Sequence, residues 1–392
     1  MKSVYIVGSK GIPAKYGGFE TFVDKLISNQ QSENIQYFVA CMMENSKKSN
    51  FESKEFSYNG AKCFNIEVPN IGPARAIVYD ILALNESIKI AKKNKDKAPI
   101  FYVLACRIGP VIFHFKKVIE SMGGQLFVNP DGHEWLREKW SPAVRRYWKY
   151  SEKLMTKYAD LLVCDSKNIE KYIQSEYATY QPKTKFIAYG TDLEPGKLTP
   201  DHSGVREWFK KHDIVENNYY LVVGRFVPEN NYEAMIREFM KSSTQKSFVL
   251  ITNVEQNQFY LRLKEATKFD TDSRIKFVGT VYDQELLKYI RENAFAYFHG
   301  HEVGGTNPSL LEALAFTKMN LLLNVGFNQE VAESAAVYWE KDNLWQVINN
   351  VEDFTTEAIE QLGIDSSKRV RDHYSWPLIV EEYEKLFLKE EE

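Results

Sequence analysis

Four stretches of this 392-residue sequence gather side chains able to act on a phosphorylated or hydroxyl-rich ligand. In N-P-D-G-H-E-W (129–135), Asp131, His133 and Glu134 fall within four residues. Carboxylates and an imidazole so close together serve as acid, base or orienting groups for a hydroxyl. In V-V-G-R-F-V-P-E-N-N (222–231), Arg225 follows a strand and a glycine, where its planar fork suits a diphosphate. In G-H-E-V-G-G-T-N-P-S-L-L-E-A (300–313), the amides around Gly304, Gly305 and Thr306 offer a phosphate cradle. Asn307 and Ser309 flank a helix start at Pro308, and Glu312, one turn in, can accept from a ribose. The fourth stretch, G-S-K-G-I-P-A-K-Y-G-G-F-E (8–20), lets a ligand approach the backbone at Gly17 and Gly18. It is neither G-x-G-x-x-G nor a Walker A loop. Plainer roles stay open: a tight turn for the glycines, a surface ion pair for Arg225.

These residues need a scaffold that places strand ends together. Apolar runs at 3–7, 36–41, 61–68, 100–104, 125–129, 161–164 and 185–188 alternate with helical stretches. The pattern repeats at 219–223, 247–251, 274–278, 294–298, 320–323 and 336–338. Such alternation predicts an α/β protein of two doubly wound, Rossmann-like domains with parallel sheets. The Pro/Gly-marked stretch 189–203 reads as the linker, giving domains at 1–195 and 196–375 and a C-terminal helix at 376–392. All four chemical stretches follow predicted strands, so they line the cleft where this architecture binds ligands.

Composition narrows the classes. No apolar run is long enough to span a bilayer, and the N-terminus reads as a strand rather than a signal peptide, so a cytoplasmic location is expected. Residues 1–200 hold 29 Lys+Arg against 21 Asp+Glu, whereas the remainder holds 21 against 32. A basic first half faces an anionic partner or is simply solvated. No basic stripe with stacking aromatics recurs, which disfavours nucleic acid. Cys41, Cys63, Cys106 and Cys164 fit neither a metal knuckle nor a disulfide framework. Asp270-Thr271-Asp272 has the D-x-D form of a metal site but reads as a solvated turn. G-x-S-x-G, H-E-x-x-H and C-x-x-C are absent.

Taken together, the motifs resemble family 4 of the retaining glycosyltransferases, of GT-B fold, over nearly the whole chain. G-I-P-A-K-Y-G-G-F-E, N-P-D-G-H-E-W and G-G-T-N-P-S-L-L-E-A look most like the bacterial rhamnosyltransferases of capsule and rhamnan synthesis. That resemblance implies a nucleotide-sugar donor, dTDP-L-rhamnose, and an undecaprenyl-diphosphate-linked sugar acceptor, with no metal or other cofactor. It implies donor binding by Gly17, Gly18, Arg225, Asn230, Gly304, Gly305, Thr306, Asn307, Ser309 and Glu312. Asp131, His133, Glu134 and Arg225 become the catalytic candidates, Asp131 ranking above His133. Tyr16, Glu20 and Trp135 fall on the acceptor side. Two positions depart from the family pattern: Asn230 stands where a phosphate-binding lysine is expected, and Gly304 replaces the first Glu of E-x7-E. Lys10 or Lys15 would have to supply the missing charge, or backbone amides would.

A lipid-linked acceptor implies peripheral contact with the inner membrane face. Stretches 140–158 (WSPAVRRYWKYSEKLMTKY) and 107–119 (RIGPVIFHFKKVI) mix aromatics with cations and are the candidates; packing of their apolar faces on the first sheet is the alternative. A UDP- or GDP-hexose transferase, a GT-B-like sugar-nucleotide epimerase and a non-catalytic sugar-nucleotide-binding partner of a polysaccharide assembly complex remain alternatives. The sequence does not specify the acceptor sugar, the linkage or the oligomeric state.

Overall fold

The computed structural model describes residues 1–389 other than Tyr16, Glu138, Lys139, Glu255 and Gln256. The chain forms two compact units, one of residues 1–190 plus the chain from Trp376, the other of Thr191–Ser375. The division thus falls at 190, rather than at 195. No helix among the described residues is long and apolar enough to cross a membrane.

Among the described residues the first unit is built on eight strands, β1 (Lys2–Val7), β2 (Ile35–Met42), β3 (Glu55–Tyr58), β4 (Ala61–Ile66), β5 (Ile100–Leu104), β6 (Gln125–Asn129), β7 (Leu161–Cys164) and β8 (Thr184–Phe186). Their order is β3-β4-β2-β1-β5-β6-β7-β8. All neighbours are parallel except β3, which pairs antiparallel with β4. The central strands are apolar on both faces because helices cover both, as a parallel sheet requires. Tyr5 stacks between Phe38 and Phe101 at 4.4 and 5.1 Å on one face. On the other, Phe387 of the helix Trp376–Leu388 sets its ring 6.1 Å from Tyr102 and 6.2 Å from Tyr37. The Glu384 carboxylate of that helix accepts the Gln31 and Ser32 amides, both at 2.9 Å. The C-terminal helix is therefore part of the first unit's core.

β3 is an element the apolar runs did not reveal, since E-F-S-Y is half polar and lies on an edge. A local signal was present: Asn59 and Gly60 both take positive φ, 45° and 82°, the two-residue turn that Asn-Gly favours between antiparallel strands.

The second unit holds β9 (Tyr219–Val223), β10 (Ser247–Ile251), β11 (Ile275–Gly279), β12 (Ala296–His299), β13 (Asn320–Leu323) and β14 (Val337–Trp339). Their order is β11-β10-β9-β12-β13-β14, parallel throughout. In each unit the winding reverses beside the first strand, between β1 and β5 and between β9 and β12. Such a switch point is where this architecture places its ligand sites.

Replacing Phe387 by Ala should destabilise the first unit by about 3–5 kcal/mol, as for a fully buried aromatic. Urea denaturation measures this, and a loss below about 1 kcal/mol would mean that the helix does not hold that face of the sheet.

Candidate functional site

In the second unit, the reversal brings the loop after β9 against the loop after β12. The Asn230 side chain joins them: its Nδ2 donates to the Arg225 carbonyl at 2.7 Å, and its Oδ1 lies 2.7 Å from His301 Nδ1. Because Nδ2 is the donor of that amide, Oδ1 accepts, so His301 Nδ1 carries the proton. Asn231 Nδ2 donates to the Gly300 carbonyl at 2.7 Å, and the Glu302 amide donates to the Glu229 carbonyl at 3.2 Å. A Cβ on Gly300 would meet the Asn230 carbonyl oxygen at 2.4 Å, so only glycine permits this approach. Arg225 itself is exposed, and its guanidinium has no hydrogen-bond or ion-pair partner among the described residues.

The helix Pro308–Phe316 follows. Asn307 caps it, with Oδ1 accepting the Ser309 amide at 2.9 Å while its carbonyl takes the Leu310 and Leu311 amides. The first turn's amides are thus already bonded, which leaves the loop around Gly304–Gly305–Thr306 as the backbone surface for an anion. Ser309 Oγ donates to the Val223 carbonyl at 2.9 Å and lies 3.0 Å from Tyr297 Oη. Glu312 pairs at 2.6 Å with the buried Arg291, yet its side chain stays 38 % exposed. Thr306 is buried. Asn307, Ser309 and Glu312 therefore shape the site as well as bordering it.

His299, the last residue of β12, is buried, and its Nε2 has no hydrogen-bond partner among the described residues. Burial, seconded by neighbouring His301, pushes its pKa down to about 3, so the ring is neutral. Arg291, Tyr297, His299 and His301 escaped sequence reasoning because none has a motif of its own. His301 Nε2 lies 3.3 Å from where a Cβ on Gly304 would sit, and Gly304 itself has φ +136°. The glutamate missing at Gly304 therefore leaves space that this imidazole borders.

In the first unit, the loop after β1 is held from all sides. The Lys10 amide donates to Glu20 Oε1 at 2.7 Å, and the Ala14 amide to Asp24 Oδ2 at 2.6 Å. Tyr79 donates to the Ser9 and Ala40 carbonyls at 2.8 and 2.9 Å. Arg107 Nη1 donates to the Gly8 carbonyl and to Asp80, both at 3.0 Å. Burial raises the Asp80 pKa against the pull of Arg107. Gly17 precedes the helix Gly18–Ser28 and its carbonyl accepts the Thr21 amide, while space is open beside Gly18. Glu20, expected on the acceptor side, is buried and its carboxylate binds the loop itself. Tyr16 lies outside the described residues. Lys15, a candidate phosphate ligand, donates instead to the Lys48 carbonyl.

The loop after β6 carries the cluster seen in the sequence. Asp131 and His133 both adopt positive φ, 59° and 30°, and Ala105 at the neighbouring end of β5 does so at 68°. Strained backbone of this kind concentrates at functional sites. Asn129 Oδ1 accepts the Asp131 amide and Asp131 Oδ1 accepts the Gly132 amide, each at 2.8 Å. This orients the Asp131 carboxylate and leaves Oδ2 with no hydrogen-bond partner among the described residues. Glu134 accepts from Trp140 Nε1 at 2.8 Å and pairs with Arg137 at 2.5 Å, the bonds of a scaffold group. His133 lies 4.3 Å from the Tyr172 ring; burial, then Lys149, lowers its pKa. Trp135 Nε1 donates to Tyr172 Oη at 3.2 Å. Asp270 pairs with Lys264 at 2.9 Å and is exposed, as expected of a solvated turn, whereas the Asp272 side chain is 14 % exposed and held by Arg274 at 2.7 Å.

Residues 204–371 match the family model "Glycosyl transferases group 1". The second unit is a glycosyltransferase domain. Residues 1–192 match a "Domain of unknown function (DUF1972)". No curated protein matches the sequence. Among solved structures, sucrose-phosphate synthase from Thermosynechococcus elongatus superposes with a TM-score of 0.76 at 15 % identity, covering 99 % of both chains. HepE of Anabaena in complex with UDP gives 0.71 at 14 %, covering 99 % of this chain and 100 % of that one. The E. coli trehalose-6-phosphate protein bound with UDP-2-fluoro glucose gives 0.72 at 9 %, covering 99 % of both. The fold is that of the GT-B glycosyltransferases.

The His301 imidazole borders the space at Gly304, where the resemblance expects a glutamate that contacts the donor sugar, so it is placed to meet the sugar and not the diphosphate. His301→Ala is therefore expected to weaken nucleotide-sugar binding about 5–10-fold while leaving free nucleoside diphosphate binding unchanged. Calorimetry with both ligands checks this, and an equal loss for both would overturn it. Because the folded-state pKa of His299 lies below the unfolded value of about 6.5, its contribution to stability is present above that pH. It is lost as pH falls toward about 3. His299→Phe should flatten this acid slope in urea titrations.

Proposed function

We propose that this protein is a retaining, metal-independent glycosyltransferase that moves L-rhamnose from dTDP-L-rhamnose to an undecaprenyl-diphosphate-linked sugar at the inner membrane face. The observation that carries the reading is the exposed Arg225, without an ion-pair partner among the described residues, on a loop that Asn230 ties to His301 in a glycosyltransferase domain. The UDP and UDP-2-fluoro glucose named for the structural relatives support a nucleotide-sugar donor. The motif resemblance supports rhamnose, and the pairing of Asp270 and Asp272 with cations supports chemistry without a resident metal.

In this reading the anomeric C–O bond to the diphosphate breaks while a bond to the acceptor oxygen forms on the same face. The acceptor's proton passes to the departing diphosphate. Arg225 and the loop amides stabilise the charge that develops there, in the manner of an oxyanion hole. The second carboxylate oxygen of Glu312 accepts from the ribose. Asp131, aligned through Asn129, orients the acceptor hydroxyl through Oδ2 and favours positive charge at the sugar.

Arg225→Ala and Asp131→Asn should each lower transfer at least about 100-fold in a folded protein. Wild-type turnover by either purified variant would refute its role. Thermal shift and hydrolysis with dTDP-L-rhamnose, UDP-glucose, UDP-N-acetylglucosamine and GDP-mannose test the donor. Preference for a UDP-sugar would replace rhamnose. Donor isomerised to another nucleotide-sugar without an acceptor would indicate an epimerase, and binding without hydrolysis or transfer a non-catalytic partner.

A further inference from the structure

Glu152 is a carboxylate with no part in the site described above, and it lies buried in the first unit on the helix Pro142–Tyr158. Its Oε1 accepts from the hydroxyls of Tyr172, at 2.5 Å, and of Tyr177. Tyr172 belongs to the helix Lys167–Glu176, so the carboxylate ties two helices together. Burying a carboxylate is costly, and apolar packing of the same volume would join two helices more cheaply. Apolar packing could not, however, impose a direction on the Tyr172 hydroxyl. With its proton given to Glu152, Tyr172 Oη accepts from Trp135 Nε1 at 3.2 Å and from Lys149 Nζ at 2.5 Å. The phenol thus donates once and accepts twice, with the carboxylate deciding which way the donor points.

Both accepted bonds lead to the loop after β6. Trp135 belongs to that loop, and the His133 ring rests 4.3 Å from the Tyr172 ring. The Lys149 ammonium lies 4.4 Å from the Trp135 ring and is paired with Glu176 at 2.8 Å. Arg145 Nε donates to the Trp135 carbonyl at 2.8 Å. His133 and Trp135 are therefore fixed from two helices, through ring contacts and hydrogen bonds together. Asp131 is aligned separately, through Asn129 at the strand end. The positive φ of His133, 30°, calls for such support, because strained backbone persists only where its surroundings over-determine it.

We propose that Tyr172, aimed by Glu152, is a positioning residue that sets His133 and Trp135 in the orientation in which they meet the acceptor. The inference rests on the acceptor-side reading of that loop. Its test measures donor and acceptor KM separately, with dTDP-L-rhamnose as donor and undecaprenyl-diphosphate-linked glucose, galactose or N-acetylglucosamine as acceptor. Tyr172→Phe keeps the ring beside His133 and removes only the hydroxyl. It should raise the acceptor KM about tenfold, the worth of one hydrogen bond, and leave the donor KM within about twofold. Glu152→Gln retains an oxygen to receive the phenol and should stay within about threefold of wild type, whereas Glu152→Leu should match Tyr172→Phe. A circular dichroism melt verifies that each variant is folded. An unchanged acceptor KM in Tyr172→Phe, or an equal rise in both KM values, would overturn the proposal. Indole 15N–1H spectra, with the Trp135 signal assigned through Trp135→Phe, follow the tether without either substrate. That signal should move in Tyr172→Phe, and an unmoved one would also overturn the proposal. Wild type that transfers to none of the three acceptors would overturn the acceptor reading and the proposal with it. A moved indole signal with wild-type acceptor kinetics would overturn the proposal alone.

Discussion

Much of the second unit's chemistry depends on how closely two loops approach at the ends of β9 and β12. Gly300 lies so near the Asn230 carbonyl that no side chain fits between them. Asn230, placed at this contact, donates to one loop and accepts from the other. A lysine there has donors but no acceptor, so it could not make both bonds. The departure from the family pattern at this position therefore exchanges a mobile charge for a rigid strap. In the proposed reading, what remains to meet a diphosphate is the Arg225 guanidinium and a glycine loop whose amides need no reorganisation.

The first unit solves a similar problem by other means. Its loop after β1 is long and glycine-rich, and conformational entropy would leave it loose. Glu20, Asp24, Tyr79 and Arg107 each take a backbone group of that loop. The Arg107–Asp80 pair lies under it, with Asp80 fully buried, where ions are costly unless well bonded. Arg107 meets that condition by also bonding the Gly8 and Leu104 carbonyls. Polar groups that a motif scan would assign to substrate are here occupied in holding the surface a substrate would touch.

The two units carry net charges of opposite sign. Basic residues concentrate in the first 200 positions, and on the Pro142–Tyr158 helix they gather on one exposed face. The second unit is acidic overall yet presents Arg225 and a loop of glycines at its strand ends. Local arrangement at the site, not net charge, decides which ligand each unit can accept.

The sequence alone determined the alternation of strands and helices, the positions of the four chemical loops and the helix start at Pro308. Each of these is written in neighbouring residues: apolar periodicity, a glycine, a Pro. It also held the Asn59-Gly60 turn, whose strand was too short and polar to stand out. The partnerships of Asn230 with His301, Glu312 with Arg291 and Lys149 with Trp135 were decided only by the tertiary structure. So was the inward turn of Glu20, whose carboxylate meets an amide ten residues away across the loop. Periodicity encodes which face of a strand is buried but not which strand lies beside it. Residues 71 positions apart, such as Asn230 and His301, become neighbours only when the sheet is assembled.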